Sequence, residues 1–232
     1  MDPEGIYGGN DRGRQIMRRA DRVLAGLDQL FPDARCELDH KDNYELAVAV
    51  VLSAQTTDAS VNRVTPALFE RFPDPASLAS GELPEIERLI ASLGLYRNKA
   101  KSIKGMAEGV HERFDDQIPD NMEDLVSLPG VGRKCANVIL AECYGVPALA
   151  VDTHVERISK RLGLADKTDS VLTVEKKLCK KIPKYRWIKT HHQMIFFGRY
   201  LCKARNPECD RCPFTDICKE TERPRLKLAK ED

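Results

Sequence analysis

The sequence predicts an all-α fold, on three observations. Apolar residues recur at spacings of three and four along most of the chain. No stretch shows the period-two alternation of a half-buried strand. The connections between periodic stretches are short and rich in Gly, Pro and Asp. Ile16, Ala20, Val23, Leu24, Leu27 and Leu30 mark one face of a first helix that Pro32 ends. Tyr44–Ala54 is apolar on almost every side, which predicts a buried central helix capped by Asn43. Further helices are predicted over Ala59–Phe72, Pro84–Leu93 (stopped by Gly94), Asn98–Phe114, Met122–Leu128 and Arg133–Tyr144 (stopped by Gly145). Thr153–Leu162, Ser170–Ile182 and Trp187–Tyr200 complete the set. There is no internal repeat, and the tail after Cys218 is charged and expected to fray.

At 232 residues the chain can bury one core or two small ones. A composition 42% hydrophobic and 31% charged excludes disordered and low-complexity classes. Met1–Arg14 is polar and Gly-rich with no apolar centre, unlike a signal peptide, and no apolar run approaches the roughly 20 residues that span a bilayer. These features predict a cytoplasmic protein without a membrane partner. The net charge of +1 hides a segregation. From Lys176 to Arg205 there are ten basic residues and no acid, whereas Glu108–Asp124 holds seven acids and one Arg. Such separation predicts a basic face for nucleic acid rather than a merely solvated helix surface.

Four of the eight cysteines fall close together as Cys202-x6-Cys209-x2-Cys212-x5-Cys218. Cys36, Cys135, Cys143 and Cys179 are scattered; Cys135 and Cys143 share one predicted helix and read as small core residues. Without a secretory signal, four thiolates gathered by one short loop point to a soft-metal site rather than to disulfides. Zinc and a [4Fe–4S] cluster both accept four cysteines. The wide gaps on either side of a single CxxC suit a loop wrapped around a bulky cluster better than one pinched onto a point ion, but zinc stays open on spacing alone.

Leu128-Pro129-Gly130-Val131-Gly132-Arg133-Lys134 lies between two short predicted helices. Glycines in a tight turn let backbone N–H groups approach a ligand, and the following helix N-terminus adds partial positive charge. This is a helix–hairpin–helix pattern, suited to gripping a phosphate without reading sequence. Lys134 falls in the first turn of the second helix, where the dipole disfavours an ammonium and burial would disfavour it further. A partly neutral amine is what attack on a sugar C1′ requires; on the residues alone, an ordinary phosphate-binding lysine is the plainer reading. Asp152, in Val151-Asp152-Thr153-His154-Val155, could cap a helix or serve beside that amine as a proton acceptor. His154, His191 and His192 have no metal-ligand companions in the sequence and read as structural or DNA-facing.

LPGVGRK, then VDTHV, then C-x6-C-x2-C-x5-C resembles the endonuclease III family of bifunctional DNA glycosylases. Leu52-Ser53-Ala54-Gln55-Thr56-Thr57-Asp58 and Gly94-Leu95-Tyr96-Arg97-Asn98-Lys99-Ala100 agree with it too, so the likeness runs from about Asp21 to Cys218. It implies removal of oxidised pyrimidines from double-stranded DNA, followed by strand cleavage at the abasic site. Lys134 would be the Schiff-base nucleophile, Asp152 the catalytic carboxylate, and Cys202, Cys209, Cys212 and Cys218 the ligands of a [4Fe–4S] cluster. Gln55 would fill the space of the extruded nucleotide and Leu95 would wedge the opposite strand. Gly130, Gly132, Arg133, His154, Lys203 and Arg205 would contact DNA.

The implied fold is two helical domains with a DNA-binding groove between them. A six-helix barrel holding the hairpin would span residues 36–146. A cluster domain would combine the leader and first helix (1–35) with 147–218, ahead of a charged tail (219–232). The protein would act as a monomer, nucleoid-associated in a prokaryote. The leader Met1–Gly13 and Cys135, where family members often carry Thr or Ala, depart from the pattern without touching a named role. A monofunctional mismatch glycosylase of the same superfamily would need a residue other than an amine at position 134. A non-catalytic zinc-and-hairpin DNA-binding module would be colourless, unlike a cluster protein.

Overall fold

The computed structural model describes residues 18–220. The leader, the predicted start of the first helix at Ile16 and the tail from residue 221 onward lie outside the described residues. Within them every regular element is helical, and no helix is long and apolar enough to cross a membrane. In chain order the α-helices are α1 (Arg19–Leu30), α2 (Asn43–Leu52), α3 (Asp58–Arg71), α4 (Pro75–Ser80), α5 (Leu83–Leu89) and α6 (Tyr96–Phe114). There follow α7 (Met122–Val126), α8 (Arg133–Tyr144), α9 (Thr153–Arg161), α10 (Val171–Lys181) and α11 (Trp187–Phe196).

Local chemistry explains the boundaries, including those that differ from the sequence reading. Asn43 is the first helical residue of α2 rather than its cap; Asp42 accepts the Glu45 N–H, and Glu45 in return accepts the Lys41 N–H. Thr57, Asp74, Asn121 and Ser170 cap α3, α4, α7 and α10 in the same way. α4 has no counterpart among the predicted helices: it is six residues long, held by an Asp74–Ser77 capping box and Pro75 at its start. α5 stops at Leu89, well short of Gly94. Beyond Phe196 the last helix widens into a π-turn, Phe197–Leu201, where the Cys202 N–H reaches back to the Phe197 carbonyl at 2.7 Å.

Buried side chains form two separate cores. The first draws on α2–α8, from Leu38 to Leu140, around the fully enclosed α2. The hairpin between α7 and α8 is seated on α6 through glycines: a Cβ on Gly109 would lie 2.7 Å from Leu128, and one on Gly105 would lie 3.0 Å from Pro129. The second core joins Val23 and Leu27 of α1 to Val155, Ile158, Leu178, Met194, Phe197 and Phe214. The chain therefore leaves this core after α1, builds the first, and returns at Leu149.

α1 is pressed against the cysteine loop through Gly26, where a Cβ would come within 2.3 Å of the Phe214 ring. That ring is fully buried and packs edge-on against Phe197. Helix propensity alone would make Gly26→Ala stabilising by about 1 kcal/mol. The clash with an immovable ring decides the sign the other way, and urea unfolding should show a loss of about 1–3 kcal/mol. A stabilised variant would mean that this packing is loose.

Candidate functional site

A cavity of about 570 Å³ opens where the two cores meet. The segments before α2 and α3 and the start of α8 supply one wall; Val151–His154 and α11 supply the other. Lys134 and Asp152, eighteen positions apart in sequence, both line it. Each stands at a helix start, Lys134 in the first turn of α8 and Asp152 as the cap of α9. Asp152 Oδ1 accepts the Val155 N–H at 2.8 Å, while Oδ2 has no bonded partner among the described residues. The capping and cavity-facing roles weighed for this residue therefore coexist. Lys134 is exposed in the groove and not buried, contrary to the burial considered from sequence.

His191, given no specific place by the sequence, is the cavity's enclosed neighbour to this pair. It is buried on α11, its Nδ1 donating to the Ala150 carbonyl at 2.9 Å. Burial and the adjacent His192 push its proton affinity down, with charges on Asp152 and Lys134 also acting on it. His192 bonds Glu142 of α8 at 2.7 Å, stitching one core to the other. Burial would raise the Glu142 carboxyl, but that bond and the imidazole charge outweigh it and hold it below its ordinary value.

The two hairpin glycines differ in kind. Gly130 has φ +76°, and a Cβ there would lie 2.6 Å from Ser102 Cβ, so only glycine closes this turn. Gly132 has an ordinary extended backbone and open space around it. No side chain caps α8, so its first N–H groups point outward at this bare glycine. Arg133 beside it is tied to Glu175 of α10 at 2.7 Å.

Gln55 and Leu95 share an unusual backbone. Both are non-glycine residues in the left-handed region, at φ +55° and +59°. Both are solvent-exposed, Leu95 at 61% despite being apolar. Gln55 lines the groove. Strain at exposed residues persists only where the surroundings impose it, and such residues cluster at functional sites.

The basic stretch from Lys176 to Arg205 is less free than its charge count predicts. Lys177 bonds Asp166 and Asp169, Lys181 the Leu164 carbonyl, and Arg186 and Lys189 pair with Asp28. Arg199 bridges Glu37 and Asp58, and Lys203 pairs with Glu208. Only Lys176, Lys180, Lys184 and Arg205 of this stretch make no ion pair or side-chain hydrogen bond among the described residues. For Arg186, Lys189 and Arg199 the reason is tertiary, since Asp28, Glu37 and Asp58 lie far away in sequence, whereas Lys177 and Lys203 are answered by acids within 11 positions. His154 lies at the groove wall, its Nδ1 3.3 Å from an Arg157 guanidinium nitrogen, and burial lowers its proton affinity.

Cys202, Cys209, Cys212 and Cys218 surround a second cavity of about 470 Å³. No three His, Cys, Asp or Glu side chains among the described residues converge as a single metal ion would demand. All four thiols face this one space, as the ligands of a single [4Fe–4S] cluster would. The wall also carries Arg161, which donates to Cys202 Sγ at 3.4 Å and to the Lys203 carbonyl at 2.8 Å. Burial pushes the Cys212 thiol up to about 11 and raises Cys202 even against Arg161.

Comparison with known proteins matches this arrangement. Residues 48–184 match the family described as HhH-GPD superfamily base excision DNA repair protein, and residues 202–218 match the iron-sulfur binding domain of endonuclease III. The chain is 50% identical over 204 residues to endonuclease III of Bacillus subtilis, covering 88% of this chain and 93% of that one. It is 48% identical over 202 residues to endonuclease III of Synechocystis, covering 87% and 92%. Among solved structures, a trapped endonuclease III–DNA covalent intermediate superposes with a TM-score of 0.83 at 50% identity, covering 87% of this chain and 96% of that one.

Two measurements test the site as built. Gly130→Ala should cost about 1–3 kcal/mol through its backbone strain and clash. Gly132→Ala should leave stability within about 0.5 kcal/mol yet weaken DNA binding equally across sequences. Wild-type DNA affinity in Gly132→Ala would show that no phosphate approaches there. His191 supplies the second. Its native form binds protons less readily than the unfolded chain, so its contribution is complete above about pH 6.5. That contribution is lost as pH falls toward about 4. Urea unfolding across this window should show falling stability, with a flatter limb in His191→Asn; equal slopes would acquit this residue.

Proposed function

This chain belongs to the endonuclease III family, and from that premise we propose that Lys134 is the nucleophile and Asp152 the carboxylate that excise a damaged base. As a family member it is a base-excision-repair DNA glycosylase and apurinic/apyrimidinic lyase with a [4Fe–4S] cluster, and DNA is its partner. The observation that carries the residue assignment is the convergence of these two side chains, from two helix starts, in one groove between the cores.

In the proposed reaction the Lys134 Nζ lone pair attacks C1′ of the damaged nucleoside. The C1′–N bond breaks and the base leaves with its electron pair. Asp152 Oδ2, unencumbered by the cap, stabilises positive charge at C1′ and receives the proton that Nζ gives up. As the sugar ring opens, a C1′=N imine forms. A C2′ proton then passes to water as the 3′ phosphate leaves with the C3′–O electrons, nicking the strand, and hydrolysis of the imine returns the Lys134 amine. A nucleotide seated in the groove would strip water from the exposed amine only as the base arrives. Gln55 and Leu95 would hold the duplex open, since a base inside the stack is out of reach. The bare Gly132 turn would grip the backbone.

Cys202, Cys209, Cys212 and Cys218 would hold the cluster, which supplies a rigid cross-link to the loop and no bond-making step. Arg205 and the partly engaged Arg133, Lys203 and His154 would meet the DNA backbone. The finer reading is duplex DNA carrying an oxidised pyrimidine or an abasic site, acted on by a cytoplasmic monomer that is nucleoid-associated in a prokaryote.

Borohydride trapping on duplex DNA with an abasic or oxidised pyrimidine site tests this. Wild type should form a covalent adduct and Lys134→Ala none; an adduct with Lys134→Ala would sink the assignment. Asp152→Asn separates the roles of that residue, because Asn caps a helix as well as Asp does. Stability should hold while base excision slows by about 10²-fold or more. An unchanged rate would reduce Asp152 to a cap.

A further inference from the structure

Lys99 is a buried amine that the proposed mechanism does not use. It is 6% exposed, one turn into α6. Its backbone N–H donates to the Leu95 carbonyl at 3.0 Å, anchoring the residue that opens this helix in a left-handed conformation. Its side chain runs to the other strained loop, where Nζ donates to Thr56 Oγ1, next to Gln55. It forms no ion pair among the described residues. Burying an ammonium against a hydroxyl is costly, and burial does lower its proton affinity. A lysine serving only to fill space could be replaced by an apolar side chain of equal length at lower cost. What this amine adds is a cross-link between two loops 43 positions apart.

We propose that Lys99 is a positioning residue, which ties Thr56 to the start of α6 so that Gln55 and Leu95 enter the duplex as one wedge. The inference rests on the reading of Gln55 and Leu95 as the residues that open the helix. Without the tie each loop would still carry its side chain, but the spacing between the two would no longer be fixed. Base extrusion would then suffer while chemistry on an already accessible sugar would not.

The test compares single-turnover strand cleavage at an abasic site in a duplex and in a single strand, where nothing must be extruded. Lys99→Met keeps the stem and removes the donor; Thr56→Val keeps the shape and removes the acceptor. Each should lower the ratio of duplex to single-strand rates by about tenfold, the scale of one hydrogen bond to a charged group. The double variant should fall no further than either alone, because both remove the same contact. Lys99→Arg should recover part of the ratio, and 2-aminopurine beside the lesion should lose its unstacking fluorescence in Lys99→Met. Should Lys99→Met fail to fold, Thr56→Val, at a partly exposed position, carries the comparison alone. Gln55→Ala and Leu95→Ala run in parallel. If they lower the ratio and the tie variants do not, the role of Lys99 is wrong although the wedge reading stands. If they leave it unchanged, the wedge reading fails and the role of Lys99 with it.

Discussion

The groove exists because the two cores are held at a fixed separation, and a seam of ionic hydrogen bonds does the holding. Arg199, in the π-turn after α11, reaches Glu37 at 2.6 Å and Asp58 at 2.7 Å; Tyr200 adds a bond to Glu37, and His192 bonds Glu142. Exposed ion pairs contribute little, but these are mostly sheltered, with Asp58 only 16% and Arg199 27% exposed. Bonds to charged groups in such settings contribute roughly 1.5–3 kcal/mol each. Their position matters more than their sum. Asp58 opens α3 directly after Gln55-Thr56-Thr57, so the residue that fixes the seam also fixes the rim of the cavity.

The same economy shows in the glycines. Gly130 is required by the protein itself, since its backbone angle and the nearby Ser102 exclude a side chain. Gly132 is required by nothing in the free protein. A position left bare without a packing reason, at an uncapped helix start, makes sense only through what approaches from outside. The strained Gln55 and Leu95 follow the same reasoning. An apolar side chain 61% exposed on a left-handed backbone stabilises nothing in the free molecule, so its surroundings hold it ready for another surface.

Features encoded locally were legible in the sequence. Period, caps and breakers place the helices to within a few residues, because each depends on neighbours three or four positions away. α4 escaped because six residues with two small serines give no repeating apolar face; its only signal was the Asp74–Ser77 box. The spacing of four cysteines narrowed the metal but did not choose it. The match of residues 202–218 to the iron-sulfur binding domain of endonuclease III does. Charge was the most misleading signal. Lys177, Lys181, Arg186, Lys189, Arg199 and Lys203 looked like a free basic face, and each is engaged within the protein. His191 was named without a place and Lys99 only as part of a motif, since their importance lies in which loops α11 and α6 bring beside them. Lys134 and Asp152 stood out only through motif resemblance; from residues alone, a phosphate-binding lysine and a helix cap were the plainer readings.

That resemblance also set the cysteines and the cutting residues far apart, and the structure shows how short the physical connection is. α9 begins at Asp152, which caps it from the cavity wall, and ends at Arg161, which donates to Cys202 and to the carbonyls of Lys203 and Ala204. Arg157, one turn earlier, donates to the carbonyls of Gly198 and Cys202. Gly198 admits this contact because a Cβ there would meet His154 at 2.9 Å. A nine-residue helix rises only about 13 Å. One rigid element thus joins Asp152, the carboxylate proposed to act in the cavity, to the first cysteine of the cluster loop. Loosening that loop frees the end of α9, and with it the cavity wall that positions Asp152. A cluster held by Cys202, Cys209, Cys212 and Cys218 would thus brace the cavity wall from outside the groove, a structural role and not a chemical one.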